Sequence, residues 1–303
     1  MNLRSPLWTL CLLAVLLLPA AGRGPAPDLL LGQDFPDPGV VPGEQVAFAT
    51  AGPAGSIPMA SSASGAWTIT GDALAARPSW AAEGTSYWAP DVSRRADGSW
   101  LMYFSATAVA TGFMCVGAAV AGAVTGPYRP AGDRPLVCRP GDGSDIDPQA
   151  FTDTGGTTYL LYKSLHGPGG ASTIWLQQVD PAGLTLVGGR RTLLRVDAPA
   201  EQGVIEAPCL VKTPGGYTLL YSAGKFTDSS YHTSYAVSAA LAGPYRKAGD
   251  LLTTGGLGSA VDGPGGADVA GDRIYFHGWL PGHRARGLYT LPIHFESTRP
   301  VLG

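Results

Sequence analysis

The sequence predicts an all-β protein, a five-bladed β-propeller, and this prediction rests on a repeat and its spacing. One pattern recurs five times: a carboxylate or small polar residue beside a proline, a few apolar residues, a glycine-containing turn and an aromatic-rich strand. Counted between Asp37, Asp91, Asp147, Glu206 and Pro264, the intervals are 54, 56, 59 and 58 residues. A near-constant interval indicates a repeat architecture, and this length accommodates the four short strands of a propeller blade.

The strands of each repeat can be followed in order along the chain. Tyr- and Leu-rich runs that follow glycine turns, such as residues 158–164 and 217–222, are typical of second strands. Third strands are predicted at residues 115–120, 173–179, 233–238 and 288–293. No linker interrupts residues 34–295, so we expect one propeller domain over that range.

Composition and the N-terminus limit where the protein works. The formal net charge is −3 and 14% of residues are charged, which does not fit a basic nucleic-acid surface. Arg4, an apolar run over residues 7–18 and small residues near position 22 predict a signal peptide at residues 1–22. The run is short for a membrane span, so we expect a secreted protein with no stable membrane insertion after cleavage. An uncleaved anchor is the alternative.

Export also bears on the cysteines outside the signal peptide. Cys115 and Cys138 lie 23 residues apart in the second repeat, and an oxidising compartment permits a disulfide between them. Cys209 is then unpaired, and its apolar surroundings predict a buried free thiol.

The acids of the repeats are the candidate catalytic groups. Asp37, Asp91, Asp147 and Glu206 are expected at equivalent positions of four repeats, so that they converge on one central pocket. Each lies at or beside a proline, which biases the preceding residue to extended backbone. Paired carboxylates around a pocket suit glycoside hydrolysis, in which one acid protonates the leaving oxygen while another activates water. A third carboxylate keeps the acid protonated. Asp91 is expected to be structural.

These motifs resemble those of glycoside hydrolase family 43, five-bladed propellers that act on arabinan and xylan. The resemblance spans residues 34–295 and rests on four segments in order: Phe35–Pro38, Trp88–Asp91, Ile146–Pro148 and Glu206–Pro208. It implies that Asp37 is the general base, Glu206 the general acid and Asp147 the residue that tunes the acid and orients substrate. It also implies inversion of configuration. Fructan-acting propellers share the fold, but their motif contexts do not occur here.

One departure from the family concerns the fifth repeat. Many members carry Gly-Pro-Gly-His there, with the His near a central calcium or other ion, whereas this chain reads Gly263-Pro-Gly-Gly266. His277 on the following strand is therefore the candidate for binding an ion, water or substrate, with a structural histidine as the alternative. Calcium prefers oxygen ligands, so we predict no metal ligands and no required cofactor.

Two further residues are candidates for substrate binding. Trp88 suits stacking on a sugar ring, with packing inside a blade as the alternative. Arg286 matches an arginine that reaches sugar hydroxyls in the family, with a solvated strand-end charge as the alternative. Weaker candidates for the pocket rim are Phe226, Tyr231 and His232.

Together these features predict a secreted inverting hydrolase of α-L-arabinofuranosidic linkages in arabinan or arabinose-decorated hemicellulose. Its partner would be a plant cell-wall polysaccharide or oligosaccharide. A β-xylosidase of the same family is the alternative among enzymes. A catalytically silent polysaccharide-binding propeller is the alternative outside them, although the three intact acids argue against it.

Overall fold

The computed structural model describes residues 25–63, 65–257 and 261–303, so the predicted signal peptide at 1–22 lies outside the described residues. Within these ranges the chain forms 21 β-strands and three single-turn 3₁₀ helices, and no α-helix. No helix in the described part of the chain has the length and apolar character needed to cross a membrane. The first strand, β1 (Asp28–Leu31), finds its partner at the far end of the sequence.

Four of the five sheets each consist of four consecutive antiparallel strands. The first sheet contains β2 (Gly39–Val41), β3 (Val46–Phe48), β4 (Pro58–Ser61) and β5 (Thr68–Asp72). The second contains β6 (Trp88–Arg94), β7 (Trp100–Thr107), β8 (Met114–Ala121) and β9 (Arg129–Pro130). The third contains β10 (Asp145–Thr152), β11 (Thr158–Ser164), β12 (Thr173–Val179) and β13 (Leu186–Arg195). The fourth contains β14 (Ile205–Thr213), β15 (Gly216–Ala223), β16 (His232–Ser238) and β17 (Arg246–Leu252).

The fifth sheet joins the two ends of the chain. It is built from β18 (Asp262–Ala270), β19 (Arg273–Trp279) and β20 (Arg286–Glu296), with β21 (Arg299–Leu302) also paired to β20. The strand β1 pairs antiparallel with β20, where Asp28 lies opposite Thr290 and Leu29 opposite Tyr289. An N-terminal strand built into the last blade closes the ring, and the predicted five-bladed propeller is confirmed.

Apolar side chains fill the space between blades. Between the first two sheets, for example, the buried rings of Phe48 and Tyr128 meet edge to face at 5.8 Å, and those of Trp80 and Phe104 stack at 6.2 Å. Such buried aromatic pairs contribute dispersion and apolar burial together. They fix each blade against its neighbour and hence the angle at which every inner strand faces the axis.

The cysteines follow the prediction. Cys115 on β8 and Cys138 beyond β9 form a disulfide, with their Cα atoms 4.7 Å apart. Cys209 on β14 is a buried free thiol.

The innermost strands share a backbone feature that the sequence did not predict. Asp37, Ala89, Asp147, Ala207 and Gly266 occupy one equivalent position in the five blades and have φ values of 51°, 45°, 55°, 47° and 58°. Four of them precede a proline, and we expected extended backbone there; instead the chain is left-handed and bulged. Left-handed non-glycine residues cost about 1–3 kcal/mol each and persist where the surroundings hold them.

A ring of hydrogen bonds between blades supplies that hold. The backbone N–H of each left-handed residue donates to a side chain of a neighbouring blade. The pairs are Asp37 to His277 Nδ1 (3.0 Å), Ala89 to Thr50 Oγ1 (2.8 Å), Asp147 to Ser105 Oγ (3.2 Å), Ala207 to Asp147 Oδ2 (3.0 Å) and Gly266 to Ser222 Oγ (2.9 Å). The strained turns are thus tied to each other around the axis.

Candidate active site

A cavity of about 630 Å³ lies where the innermost strands begin, and residues from all five blades line it. Among the predicted site residues, it brings together Asp37, Trp88, Asp147, Glu206 and Arg286. Residues distant in sequence therefore meet at one place because the blades repeat around a common axis.

Asp37 lies in a setting that favours its carboxylate form. Its Oδ2 accepts a hydrogen bond of 2.7 Å from the Thr50 hydroxyl, and Arg286 Nη1 lies 3.7 Å from its Oδ1. Burial alone would raise the pKa of Asp37, but the Arg286 guanidinium and the Thr50 hydroxyl help to hold it well below its usual range. Asp37 is ionised at neutral pH.

Asp147 and Glu206 form a second, coupled pair of carboxyl groups. Asp147 Oδ2 accepts the N–H of Ala207, the residue after Glu206, at 3.0 Å. Burial, and then the charge of Glu206, raise the pKa of Asp147 to about 7, although Lys163 opposes this. The pair therefore retains one proton close to neutral pH, in contrast with the ionised Asp37.

Glu206 is held by two side-chain donors. Lys163 Nζ lies 2.7 Å from Oε2, and the Tyr231 hydroxyl donates to Oε1 at 2.8 Å. Tyr231 was only a weak candidate for the rim, and its buried hydroxyl lies deeper than that. Lys163 was missed, although its sequence signal is a lysine near the end of an otherwise apolar strand, in Tyr-Leu-Leu-Tyr-Lys-Ser.

The acids do not occupy equivalent positions, contrary to the expectation from sequence. Asp37 and Asp147 are at the left-handed position, Glu206 is one residue before it, and Asp91 is two residues after the left-handed Ala89. Asp91 lines a separate small cavity with Cys209 and Asp268 and is not among the residues that line the large one. Its Oδ2 accepts the N–H of Ala150 in the next blade at 2.9 Å, a structural contact.

His277 is completely buried and is not among the residues that line the large cavity. Its Nδ1 accepts the Asp37 N–H, so the proton of the neutral ring is on Nε2, which has no hydrogen-bond partner among the residues that the structure describes. Burial lowers the pKa of His277, and the ring stacks on Tyr231 at 5.7 Å. A Cβ at Gly266 would lie 2.7 Å from His277 Nδ1, so this glycine makes room for the histidine.

These contacts do not fit a metal centre. No three His, Cys, Asp or Glu side chains in the described part of the chain come together as a ligand set. His277 uses Nδ1 within the protein and presents no oxygen, the donor that calcium prefers. The residues around His277 therefore do not fit the calcium or other ion that the sequence left possible there.

The two remaining candidates do lie in the cavity. Trp88 is 39% exposed, which is incompatible with packing inside a blade and leaves a face free for a sugar ring. The Arg286 guanidinium lies 5.4 Å from the Phe226 ring centre, and only 14% of its side chain is exposed. It is thus a largely enclosed arginine held between Asp37 and an aromatic ring rather than a solvated charge.

Comparison with known proteins agrees with the motifs. The family model of glycosyl hydrolases family 43 matches residues 30–280. A β-D-galactofuranosidase of Aspergillus niger is 29% identical over 167 residues, which are 52% of this chain and 45% of the relative. An extracellular endo-α-(1→5)-L-arabinanase of Bacillus subtilis is 28% identical over 183 residues, which cover 54% of this chain and 37% of the relative. The chain spans less than half the length of either curated relative.

Solved structures show the same fold. A thermostable family-43 glycoside hydrolase has a TM-score of 0.77 at 23% identity, with 91% of this chain and 95% of that chain covered. A native arabinanase of Bacillus subtilis has a TM-score of 0.71 at 20% identity, with 89% of this chain and 98% of that chain covered. With the family model covering most of the sequence and its motif acids meeting in one cavity, the chain belongs to glycoside hydrolase family 43.

Proposed function

We propose that this protein is a secreted, inverting hydrolase of α-L-arabinofuranosidic linkages in arabinan or arabinose-decorated hemicellulose. The main supporting observation is that Asp37 and the Asp147–Glu206 pair line one cavity in different electrostatic surroundings, Asp37 beside Arg286 and the pair holding two carboxyl groups together with Lys163. Asp37 is held ionised, whereas the Asp147–Glu206 pair retains a proton close to neutral pH. Inverting glycosidases need one ionised and one protonated carboxyl group at the same time.

In the proposed mechanism, Asp37 is the general base and Glu206 the general acid. Glu206 gives its proton to the leaving glycosidic oxygen as the bond to the anomeric carbon breaks. Asp37 takes a proton from the water that attacks this carbon from the opposite face. Glu206 becomes a carboxylate in this step, and the donors Lys163 and Tyr231 stabilise that charge. Asp147 tunes the pair electrostatically and is fixed by the Ala207 N–H.

The substrate class is supported by the relatives and by the lining of the cavity. The relatives are named for galactofuranosidase and arabinanase activities, which are both directed at furanosides. Trp88 and Phe226 are 39% and 49% exposed in the cavity, and such aromatic faces suit the apolar face of a sugar ring. We propose that Trp88 and Arg286 bind substrate, while His277 contributes only through Asp37 and Tyr231.

A substrate screen tests this assignment. The protein is incubated with chromogenic α-L-arabinofuranoside and β-D-xylopyranoside and with linear and branched arabinan, and the anomer first released is identified by NMR. We expect arabinofuranoside cleavage with release of the inverted anomer. Cleavage of the xyloside alone would identify a β-xylosidase, and a product of retained configuration would exclude the inverting mechanism. Binding of polysaccharide without any cleavage would identify a silent propeller.

Leaving-group dependence tests the role of Glu206. Glu206→Gln removes the proton donor, so oligosaccharides with poor leaving groups should be cleaved roughly 10²–10⁴-fold more slowly. An activated aryl glycoside, whose leaving group departs without a proton, should lose much less. Equal losses on both substrates would contradict the role of general acid.

Glu201→Gln is the matched control for this experiment. Glu201 is buried and pairs with Lys247 at 2.5 Å, much as Glu206 pairs with Lys163, but it does not line the cavity. It should leave the ratio of the two rates unchanged.

Two further parts of the proposal have their own tests. Export predicts that protein recovered from the culture medium begins near residue 23, and recovery of the intact N-terminus in membranes would contradict it. We also propose that hydrolysis needs no cofactor, so dialysis against a chelator should leave activity intact. A loss that calcium restores would instead support an ion at the axis near His277.

A further inference from the structure

Lys163 is the only lysine among the residues described that is almost completely buried, and it is placed against the proposed general acid. Its side chain on β11 is 4% exposed, and its Nζ lies 2.7 Å from Glu206 Oε2. Buried lysines are rare unless they are paired, because removing an ammonium from water is unfavourable. The contact with Glu206 is therefore the reason that this side chain can stay charged inside the blade.

Lys163 occupies a position that in two neighbouring blades belongs to a serine of the hydrogen-bond ring between blades. It lies opposite Ile146 across β10 and β11, as Ser105 lies opposite Trp88 and Ser222 opposite Glu206 in the neighbouring blades. The two serines accept a backbone N–H from the next blade. An ammonium group has no acceptor and cannot make this link.

The missing link is supplied by another residue. In the third blade Asp147 accepts the N–H of Ala207, which a residue at position 163 would otherwise take. The side chain at position 163 therefore does not accept a backbone N–H from the next blade, as the equivalent serines do. Instead it places a positive charge beside the Asp147–Glu206 pair.

The charge on Lys163 is retained. Burial alone would lower the pKa of Lys163, but the charges of Glu206 and Asp147 outweigh it and raise the pKa. The other charged or titratable groups on this side of the propeller are Tyr231 before β16, Asp37 before β2, His277 on β19, Arg286 on β20 and Lys225, which lines the cavity after β15. Lys163 is the cation in direct contact with the pair.

We propose that Lys163 is a positioning residue for the reaction: its ammonium group orients the Glu206 carboxyl and limits how tightly the Asp147–Glu206 pair holds its proton. This inference rests on the proposed function of Glu206 as general acid. Without the ammonium, two adjacent and largely enclosed carboxyl groups remain with one cation fewer, and the pair releases its proton only at higher pH. Lys163 then sets the upper pH limit of activity.

The pH dependence of kcat/KM tests this inference. The substrate is the unactivated oligosaccharide, arabinotriose or xylobiose, that the wild type cleaves. Lys163→Met should move the alkaline limb upward by about one pH unit or more, the shift expected on losing a contacting charge at an effective dielectric constant of about 20. Lys163→Arg keeps the charge, so its alkaline limb should move from the wild-type position by less than about half of the shift seen for Lys163→Met.

Lys247→Met is the matched control, because Lys247 also pairs with a buried glutamate, Glu201, but lies outside the cavity. It should not move the limb. A Lys163→Met enzyme with reduced kcat but an unmoved alkaline limb would show a merely structural lysine and overturn the inference. Lys163→Gln, a neutral donor, replaces Lys163→Met if the latter does not fold.

A stability measurement separates failure of this inference from failure of the proposed function. If the wild type cleaves neither these oligosaccharides nor any substrate of the screen, the proposed function fails, and the charge coupling is measured by thermal unfolding. Lys163→Met should then lower Tm more at pH 8 than at pH 5. In the folded variant, the Asp147–Glu206 pair holds its proton at a pH at which the unfolded chain has released it, so the variant loses stability as the pH rises. Adding Glu206→Gln should remove most of this pH dependence. Equal losses of Tm at both pH values would overturn the inference.

Discussion

The conversion of Asp91 to Asn should make the protein less sensitive to alkaline pH. Asp91 lies with Gln149, Cys209 and Asp268 around a small cavity of about 50 Å³ on the propeller axis. Burial, and then the charge of Asp268, raise the pKa of Asp91 from 3.8 to about 8. An asparagine keeps an oxygen that can accept the Ala150 N–H, so the substitution chiefly removes a titrating proton.

The sign and size follow from this raised pKa. Between pH 3.8 and about 8, the folded protein holds a proton on Asp91 that the unfolded chain has already released. This proton stabilises the folded protein. The stabilisation is complete below the pKa of Asp91 in the unfolded chain and is lost as the pH rises through its pKa in the folded protein, at about 1.4 kcal/mol per pH unit. From pH 5 to pH 8 the upper limit is about 4 kcal/mol. Because Asp268 shares the proton, we expect about 2 kcal/mol or more.

Urea unfolding at pH 5, 6, 7 and 8 measures this effect. Relative to the wild type, Asp91→Asn should gain free energy of unfolding steadily as the pH rises. Asp133→Asn, a change at an exposed aspartate, is the control and should follow the wild-type curve. Parallel curves for Asp91→Asn and the wild type would show that Asp91 is ionised in the folded state and would refute the reasoning.

Three more predictions concern the disulfide and the acid pair. Replacing Cys115 and Cys138 together by Ser should lower the free energy of unfolding by about 3 kcal/mol, from the loop entropy of their 23-residue separation; a change below about 0.5 kcal/mol in urea unfolding would contradict this. Tyr231→Phe keeps the ring stacked on the histidine but removes the hydroxyl donor to Glu206, so kcat should fall by roughly tenfold or more while Tm changes little; an unchanged kcat would show that this hydrogen bond is not used. Asp147→Asn removes a like charge, so the alkaline limb of kcat/KM should move to lower pH, and an upward movement would exclude its tuning role.

The fold was accessible from sequence because the repeat is long and regular. Five copies of a proline-flanked turn followed by a Tyr- and Leu-rich strand leave few arrangements other than blades around an axis. The same repeat predicted that Asp37, Asp147 and Glu206 would meet, since equivalent starts of inner strands must face the axis. The disulfide followed from spacing within one repeat and from the expected compartment.

What could not be predicted depends on single residues of backbone and on contacts between blades. Nothing in the sequence shows that Ala89 and Ala207 are left-handed, because alanine rarely is and the following proline argues against it. Without that knowledge, Asp91 and Glu206 were assigned to the same position in their repeats. The partner of Lys163 was equally invisible, because the contact joins strands 43 residues apart in sequence.

The one-residue offset of Glu206 has a chemical consequence for the division of roles. A carboxyl group that accepts a backbone N–H is biased towards its ionised form, since the N–H can only donate. Asp147, at the left-handed position, accepts the Ala207 N–H. Glu206, one residue earlier, is bonded only by side-chain groups among the described residues, Lys163 and Tyr231. The Tyr231 hydroxyl can also accept a hydrogen bond, so Glu206 can take up and release a proton at Oε1 without breaking the backbone ring. We therefore infer that the offset separates two tasks within this pair: Asp147, inside the bulge, links the blades, and Glu206, outside it, is free to exchange its proton.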